Sequence, residues 1–366
     1  MPNESGKPYF SVVVTSRNDD HGGDMLGRMN IFARTLLEQL AYYRVPSELI
    51  FVEWNPPADR PRLRDVLRWP KDRYPCEVRF IEVPTEVHAR FRHAQSLPLF
   101  QMIAKNVGVR RARGEFVLAT NIDILFSDAL VRYIAARRLR TGRMYRMDRF
   151  DIRETVPADG DLEARLAFCG DRRNLLRICE RGGTRDARTG KIDVIFPNHL
   201  ELWARKTFIK LFPEEGRRRF NMTPDHAEQF YQFHRAIGRL HTNACGDFTM
   251  MSRDDWARMR GYAEWEMYSF HLDSLFCHAA HAAGISETQL GGLKKIFHIE
   301  HSAGSGFTPE NQDKLWNRLE SEKIERMTDQ QLWDEVIAIR SGEKDGIYNG
   351  PEWGLADSDL PETTLP

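Results

Sequence analysis

Apolar positions fall into two periods along the first half of the chain. The run YFSVVVTSRN, Tyr9 to Asn18, is β-branched and closes in small and polar residues. That is the pattern of a parallel strand buried on both faces and followed by a loop, here one holding Gly22 and Gly23. From Met25 to Tyr43 the spacing changes, and Leu26, Met29, Phe32, Leu36, Leu37 and Leu40 keep a helical stripe. Strands are expected at 49–53, halted by Pro56 and Pro57, and at 76–83. A helix over 99–111, a strand over 115–122 and a helix over 129–139 follow. Ser127 or Asp128 can cap the last of these, and Asp128 is read as a cap rather than a ligand.

Strand, helix, strand, strand, helix, strand predicts an α/β fold: a Rossmann-like, open, twisted, mostly parallel sheet flanked by helices. In such sheets ligands sit at the carboxyl ends of the strands. Those ends carry Thr15, Ser16, Arg17 and Asn18, then Glu53, then Asn121, Ile122 and Asp123. Past Arg149 the pattern loosens. Residues 151–190, rich in Arg, Asp and Gly, are expected as loops and short helices over the sheet edge. Strand-like runs return around 194–203 (VIFPNHLELW) and 246–253 (GDFTMMSR), and a helix over 271–283 ends at Gly284. Residues 309–366 read as a charged helix pair and a Pro-rich tail, and no internal repeat occurs.

With 366 residues, 41% hydrophobic and 29% charged, the chain can bury a core without disulfide or metal staples. Lys plus Arg and Asp plus Glu both number 53, so a dedicated nucleic-acid partner, which calls for a basic balance, is not expected. Five scattered cysteines with no CxxC read as reduced, buried thiols. The start, MPNESGKPYF, has no apolar core of a signal peptide, and nowhere do ~18 apolar residues run together. A soluble, cytoplasmic chain is expected, with Arg-rich stretches that would allow peripheral contact at the inner face of a membrane.

The segment KNVGVRRARGEFVLATNIDILFSD, with VVVTSRN and LIFVEWN before it, resembles glycosyltransferases of the GT-A fold, especially the family-2-like group. That group ends its strand in Asp-x-Asp, where this chain has Asn121-Ile122-Asp123. Residues 246–284 resemble the acceptor-side strand, turn and acidic helix of those enzymes, and FHIEHSAGSG resembles their C-terminal metal-binding His loop. The resemblance implies a nucleotide-sugar-binding half over 1–150. An acceptor-binding, metal-completing half of the same catalytic domain would follow over 151–306, and a C-terminal helical extension over 307–366. It implies Mn2+ or Mg2+, a nucleotide-diphosphate sugar donor, with a UDP-sugar expected, and a saccharide or glycolipid acceptor of polysaccharide biosynthesis.

Charge supplies a reason for the cation. Each like-charge contact at ~4 Å costs ~4 kcal/mol at an effective dielectric of 20, and a divalent cation offsets this on a diphosphate leaving group. Asp123 would supply one ligand from a strand end, and His301, slightly favoured over His298, another from a distant segment. By position in the family, Asp273 at a helix start is the candidate base, with Glu264 and Glu266 set to bind acceptor hydroxyls. Thr15, Ser16 and Arg17 would hold base and diphosphate, with Glu53 at the uracil or ribose edge. Lys105 and Asn106 would lie near sugar and ribose, beside Asn121 and Ile122. Arg146, Asp148 and Arg149 are expected to face the cleft. Two other readings compete: a non-catalytic sugar-nucleotide-binding protein of this fold, and a zinc hydrolase using His298, His301 and a carboxylate. No GxGxxG precedes a helix, which argues against a nicotinamide enzyme.

Overall fold

The computed structural model describes residues 7–20, 22–194, 199–220, 222–236, 240–301 and 312–366. In chain order its elements begin with β1 (Phe10–Ser16), α1 (Met25–Tyr42), β2 (Ser47–Trp54), α2 (Leu63–Val66), β3 (Cys76–Val83), α3 (Thr85–His88), α4 (Gln101–Arg111) and β4 (Phe116–Thr120). Next come β5 (Ile124–Phe126), α5 (Asp128–Ala135), β6 (Arg143–Met147), β7 (Arg149–Ile152), α6 (Leu162–Gly170), β8 (Leu175–Glu180), β9 (Gly183–Asp186) and β10 (Ile192–Val194). Then follow α7 (His199–Leu211), α8 (Pro213–Phe220), α9 (Pro224–Ala236), β11 (Phe248–Ser252), α10 (Arg253–Met259) and α11 (Leu272–Ala282). The chain closes with β12 (Ser286–Leu290), β13 (Ile296–Ile299), α12 (Gln312–Ser321), α13 (Asp329–Arg340) and β14 (Glu362–Thr364).

β1 is buried along its whole length because it lies between two parallel neighbours, β2 and β4. With β3 parallel to β2, these four strands form the centre of an eight-stranded sheet ordered β12-β6-β11-β4-β1-β2-β3-β14. β11 runs antiparallel to β4 and β6, and β14 antiparallel to β3. The expected α/β architecture, a mostly parallel sheet flanked by helices, is therefore what the chain builds. Side-chain alternation sorts its two faces. Val13, Ile50, Val52, Ile81, Val117 and Ala119 pack under α4, α10, α11 and α13, while Val12, Val14, Leu49, Phe51, Val78 and Leu118 pack under α1 and α5. α4 lies close on the sheet: a Cβ at Gly108 would stand 2.4 Å from Val13 Cγ1.

A second, six-stranded sheet, ordered β10-β9-β8-β7-β13-β5, branches off just beyond β4. β13 pairs antiparallel with β5 and parallel with β7, so His298 stands in register with Ile124 on one side and Asp151 on the other. The 151–190 stretch is thus not mainly loop. After α6 it forms the β8–β9 ribbon, whose half-exposed strands lack the apolar alternation that would mark them in sequence. The strand expected over 194–203 is also corrected. Only Val194 is in a strand, 195–198 lie outside the described residues, and His199 onward is helical because Leu202 and Ile209 recur at helical spacing.

The remaining expectations mostly keep their types. Gly284, at φ +88, follows α11, where the Ile285 N–H reaches back to the Ala280 carbonyl at 3.0 Å. Ser127 rather than Asp128 caps α5: Ser127 Oγ accepts from the Leu130 N–H, and Asp128 accepts from the Tyr43 hydroxyl at 2.6 Å. The C-terminal segment is not an appendage. Leu315, Leu319, Leu332, Trp333, Val336 and Ile339 join the core beneath α11, and the Pro-rich tail ends in β14 on the sheet edge. All five cysteines are buried free thiols, as expected, and no described helix is long and apolar enough to cross a membrane.

Candidate metal centre between the two sheets

Asp123 is the last of the three residues between β4 and β5, where the chain leaves one sheet and enters the other. β13 is fastened there by the Ile299 N–H, which donates to the Asp123 carbonyl at 3.0 Å. That register brings both histidines to one carboxylate. Asp123 Oδ2 lies 3.8 Å from His298 Nε2 and 3.5 Å from His301 Nε2, and the ligating atoms of the three residues all lie within 4.8 Å of one another. Donors each about 2.1 Å from a shared cation, at 90–110° to each other, stand about 3.0–3.5 Å apart, so a modest closure would let all three bind. A Cβ at Gly22, whose φ is +77, would come within 2.8 Å of His301 Nδ1. The loop after β1 therefore cradles that ring, and only glycine fits there. Ser302 and Gly304 of the His loop lie outside the described residues.

A buried scaffold orients the histidines. His298 Nδ1 is 3.4 Å from Asp151 Oδ1, a carboxylate–imidazole arrangement that aims Nε2 at Asp123. Asp151 is itself held by Arg149, whose Nε is 2.7 Å from Oδ1, and by Arg177, whose Nε is 3.1 Å from Oδ2. Burial pushes the Asp151 carboxyl up, but Arg149, His298 and Arg177 outweigh it and hold the group well below the usual carboxylate range. Asp151, His298 and Glu300 also cluster closely enough for a cation. There, however, Arg177 already bridges the two carboxylates, 2.5 Å from Glu300 Oε2, so that place is taken by a guanidinium.

On the β4 side, Asn121 Nδ2 donates to Asp247 and accepts through Oδ1 from Gln101 Nε2 at 3.1 Å. Asp247 also meets Arg149 at 2.5 Å. Lys105, fully buried on α4, donates to the Gly246 carbonyl at 2.5 Å. Burial presses its pKa down, while the carboxylates of Asp247, Asp273 and Asp123 oppose that. Asp273 opens α11 with Oδ1 accepting from the Ser274 N–H at 2.8 Å, and a Cβ at Gly246 would come within 2.9 Å of Oδ2. Lys105 and Asp273 thus share the Gly246 corner. Arg28 Nε lies 3.8 Å from the same Asp123 Oδ2 that faces both histidines.

Several residues expected at the site are turned into the fold instead. Asn106 is fully buried: its Oδ1 accepts from the Tyr262 N–H, and its Nδ2 donates to the Tyr262 carbonyl and to Glu264 Oε1, at 2.8–2.9 Å. Every polar atom of that amide is used, which leaves none for a ribose. Glu264 also accepts from the Gly354 N–H at 2.7 Å, and burial raises its pKa, so it closes a loop against the C-terminal segment rather than facing an acceptor. The Ile122 side chain is in the core beneath α1. Arg146 does not face a cleft: buried, it donates to the His241 and Cys245 carbonyls at 3.0 and 3.2 Å. Asp148 is 3.0 Å from His241 Nε2.

At the β1 end, Thr15 Oγ1 is buried with no hydrogen-bond partner among the described residues, Ser16 donates to the Met25 sulfur, and Arg17 pairs with Asp19 at 3.3 Å. Glu53 accepts from the Leu63 N–H at 2.9 Å, beneath the chain leading into α2, and burial raises its pKa to about 7. Glu266 accepts from the Arg92 N–H, away from Asp123. Sequence reasoning missed Asp151, Asp247 and Arg28. Their only signal is polarity: Asp151 lies at an inward position of a strand, and Asp247 directly precedes the FTMMS run.

No family model matches this sequence, and no curated protein matches it. Among solved structures it is similar to S. aureus TarS, residues 1–349, over 91% of this chain and 70% of that chain, at 13% identity and a TM-score of 0.39. A likeness that slight carries no argument.

Proposed function

We propose that this protein is a metal-dependent glycosyltransferase that moves a sugar from a nucleoside-diphosphate donor, a UDP-sugar in the first instance, to a hydroxyl of a saccharide or glycolipid. The observation that carries the reading is the convergence of Asp123, at the carboxyl end of central strand β4, with His298 of β13 and His301 just past that strand. The donor set fits a divalent cation, and two imidazoles favour Mn2+ over the harder Mg2+. When bound, that cation neutralises a diphosphate and acts as the Lewis acid for its departure.

The chain's own residues divide the remaining work. Asp123, His298 and His301 hold the cation, and Asp151 fixes the His298 ring. Lys105 supplies a positive charge between Asp247 and Asp273. Asp273, at the positive end of the α11 dipole, takes the proton from the acceptor hydroxyl, a role worth about 10²–10⁴ in rate. Thr15, whose buried hydroxyl has no partner among the described residues, and Arg17 hold the nucleotide at the end of β1.

A panel of nucleotide-sugars assayed for Mn2+-dependent nucleotide release tests the proposal. Asp123→Ala is expected to abolish release, whereas Asp273→Asn keeps donor binding and loses transfer. Release that persists in Asp123→Ala would remove the metal from the mechanism. The same two-imidazole, one-carboxylate set also suits catalytic zinc, so stoichiometric zinc in the purified protein, with no turnover of any nucleotide-sugar, would favour a hydrolase.

A further inference from the structure

The helix α7 has two apolar faces. Leu202 and Ile209, seven residues apart, are buried on the inner one. That side of the helix is held by Lys206, 3.1 Å from Glu228 of α9 and over the Tyr231 ring, and by Gly216 of α8 packed against Ile209. Leu200, Trp203 and Leu211 recur at i, i+3 and i+11, which puts them within about 80° of one another on the opposite face. They are 74, 52 and 66% exposed, and Phe212, just past the helix, is 55% exposed. Between them Thr207 folds its hydroxyl back onto the Trp203 carbonyl at 2.8 Å, so this face offers methyl and ring rather than polar groups.

Single exposed apolar residues need no explanation, but a contiguous stripe on a helix whose inner face is already satisfied does. Charge points to what covers it. In a chain with equal numbers of acidic and basic residues, 199–220 holds six Lys or Arg against three Glu. Lys210 borders the stripe, and Arg217, Arg218 and Arg219 are exposed in the next helix. Aliphatic and Trp side chains flanked by cations are what an interfacial helix presents to an anionic lipid surface: the apolar stripe enters the acyl boundary, and Lys and Arg reach the headgroups.

We infer that α7 and α8 form a peripheral docking surface for an anionic bilayer, with Leu200, Trp203, Leu211 and Phe212 as the inserting residues and Arg217 to Arg219 as the headgroup contacts. The surface does not depend on the transfer reading, and its residues are separate from the metal centre.

Co-sedimentation of the full chain with vesicles tests this, using phosphatidylcholine alone and phosphatidylcholine with 30% phosphatidylglycerol. The full chain should bind the anionic vesicles at low salt and lose most binding at high salt. Trp203→Ser/Leu211→Ser/Phe212→Ser should lower the partition coefficient at least tenfold with an unchanged circular dichroism spectrum. Arg217→Gln/Arg218→Gln/Arg219→Gln should abolish the preference for anionic over neutral vesicles. Absence of binding to anionic vesicles, or equal binding by the serine variant, overturns the inference. So does light scattering that shows the stripe holding two copies of the chain together, with the serine variant monomeric and neither form binding lipid.

Discussion

Replacing Glu53 by Gln should make the protein more stable above neutral pH and leave it nearly unchanged in acid. Glu53 is only 2% exposed, and burial lifts its pKa from an ordinary 4.5 to about 7. Below pH 4.5 the residue is protonated in both the folded and unfolded chain and carries no penalty. Between 4.5 and 7 the unfolded chain sheds the proton first, so stability falls by about 1.36 kcal/mol per pH unit. Above 7 both states are ionised and the loss levels off at about 3 kcal/mol. Glutamine keeps the size of the side chain and an oxygen for the Leu63 N–H, but has nothing to ionise. The difference between Glu53→Gln and the parent should therefore be near zero at pH 4 and reach about 3 kcal/mol at pH 8. With about 2.1 cal/mol/K of unfolding entropy per residue over 366 residues, that gain raises Tm by about 4 °C. Urea or thermal unfolding of both proteins from pH 4 to 8 measures it, and all other titrating groups cancel in the difference. A difference that is flat with pH, or that grows toward acid, would refute the buried, proton-holding state of Glu53.

Asp151→Asn should weaken Mn2+ binding about 10–100-fold, read by electron paramagnetic resonance or calorimetry, because the carboxylate beside His298 Nδ1 fixes the ring that ligates; unaltered affinity would leave Asp151 a purely structural anion. Gly108→Ala gains about 1 kcal/mol of helix propensity but forces a Cβ to 2.4 Å from Val13 Cγ1 and 3.0 Å from Val52 Cγ2, on strands that cannot yield. Overpacking of that kind costs about 1–3 kcal/mol, so a net loss is expected in the denaturation midpoint, and a raised midpoint would contradict the close approach of α4 to the sheet.

Sequence alone determined the central sheet and the helices on it. β1 to β4, α1 and α11 are each written in a local period, since a strand buried on both faces must be apolar throughout and an amphipathic helix must repeat every three to four residues. It also singled out Asp123, His298 and His301 as residues of one chemistry, through a resemblance carried by short motifs. Tertiary structure decided which of these meet. His298 reaches Asp123 because β13 enters the second sheet between β5 and β7, and β7 and β8 give too weak an alternation to announce that sheet. Asn106 and Glu264 look identical in sequence to ligand-binding residues, yet their polar atoms are consumed by Tyr262, by each other and by Gly354, contacts made across 90 or more residues of chain. The helix at His199 has a strand-like sequence because its outer face is apolar too, and a helix with two apolar faces loses the polar half that would identify it. Local periodicity is encoded by neighbours in the chain. Which polar atom is satisfied, and by what, depends on long-range register, and that exists only once the sheets have formed.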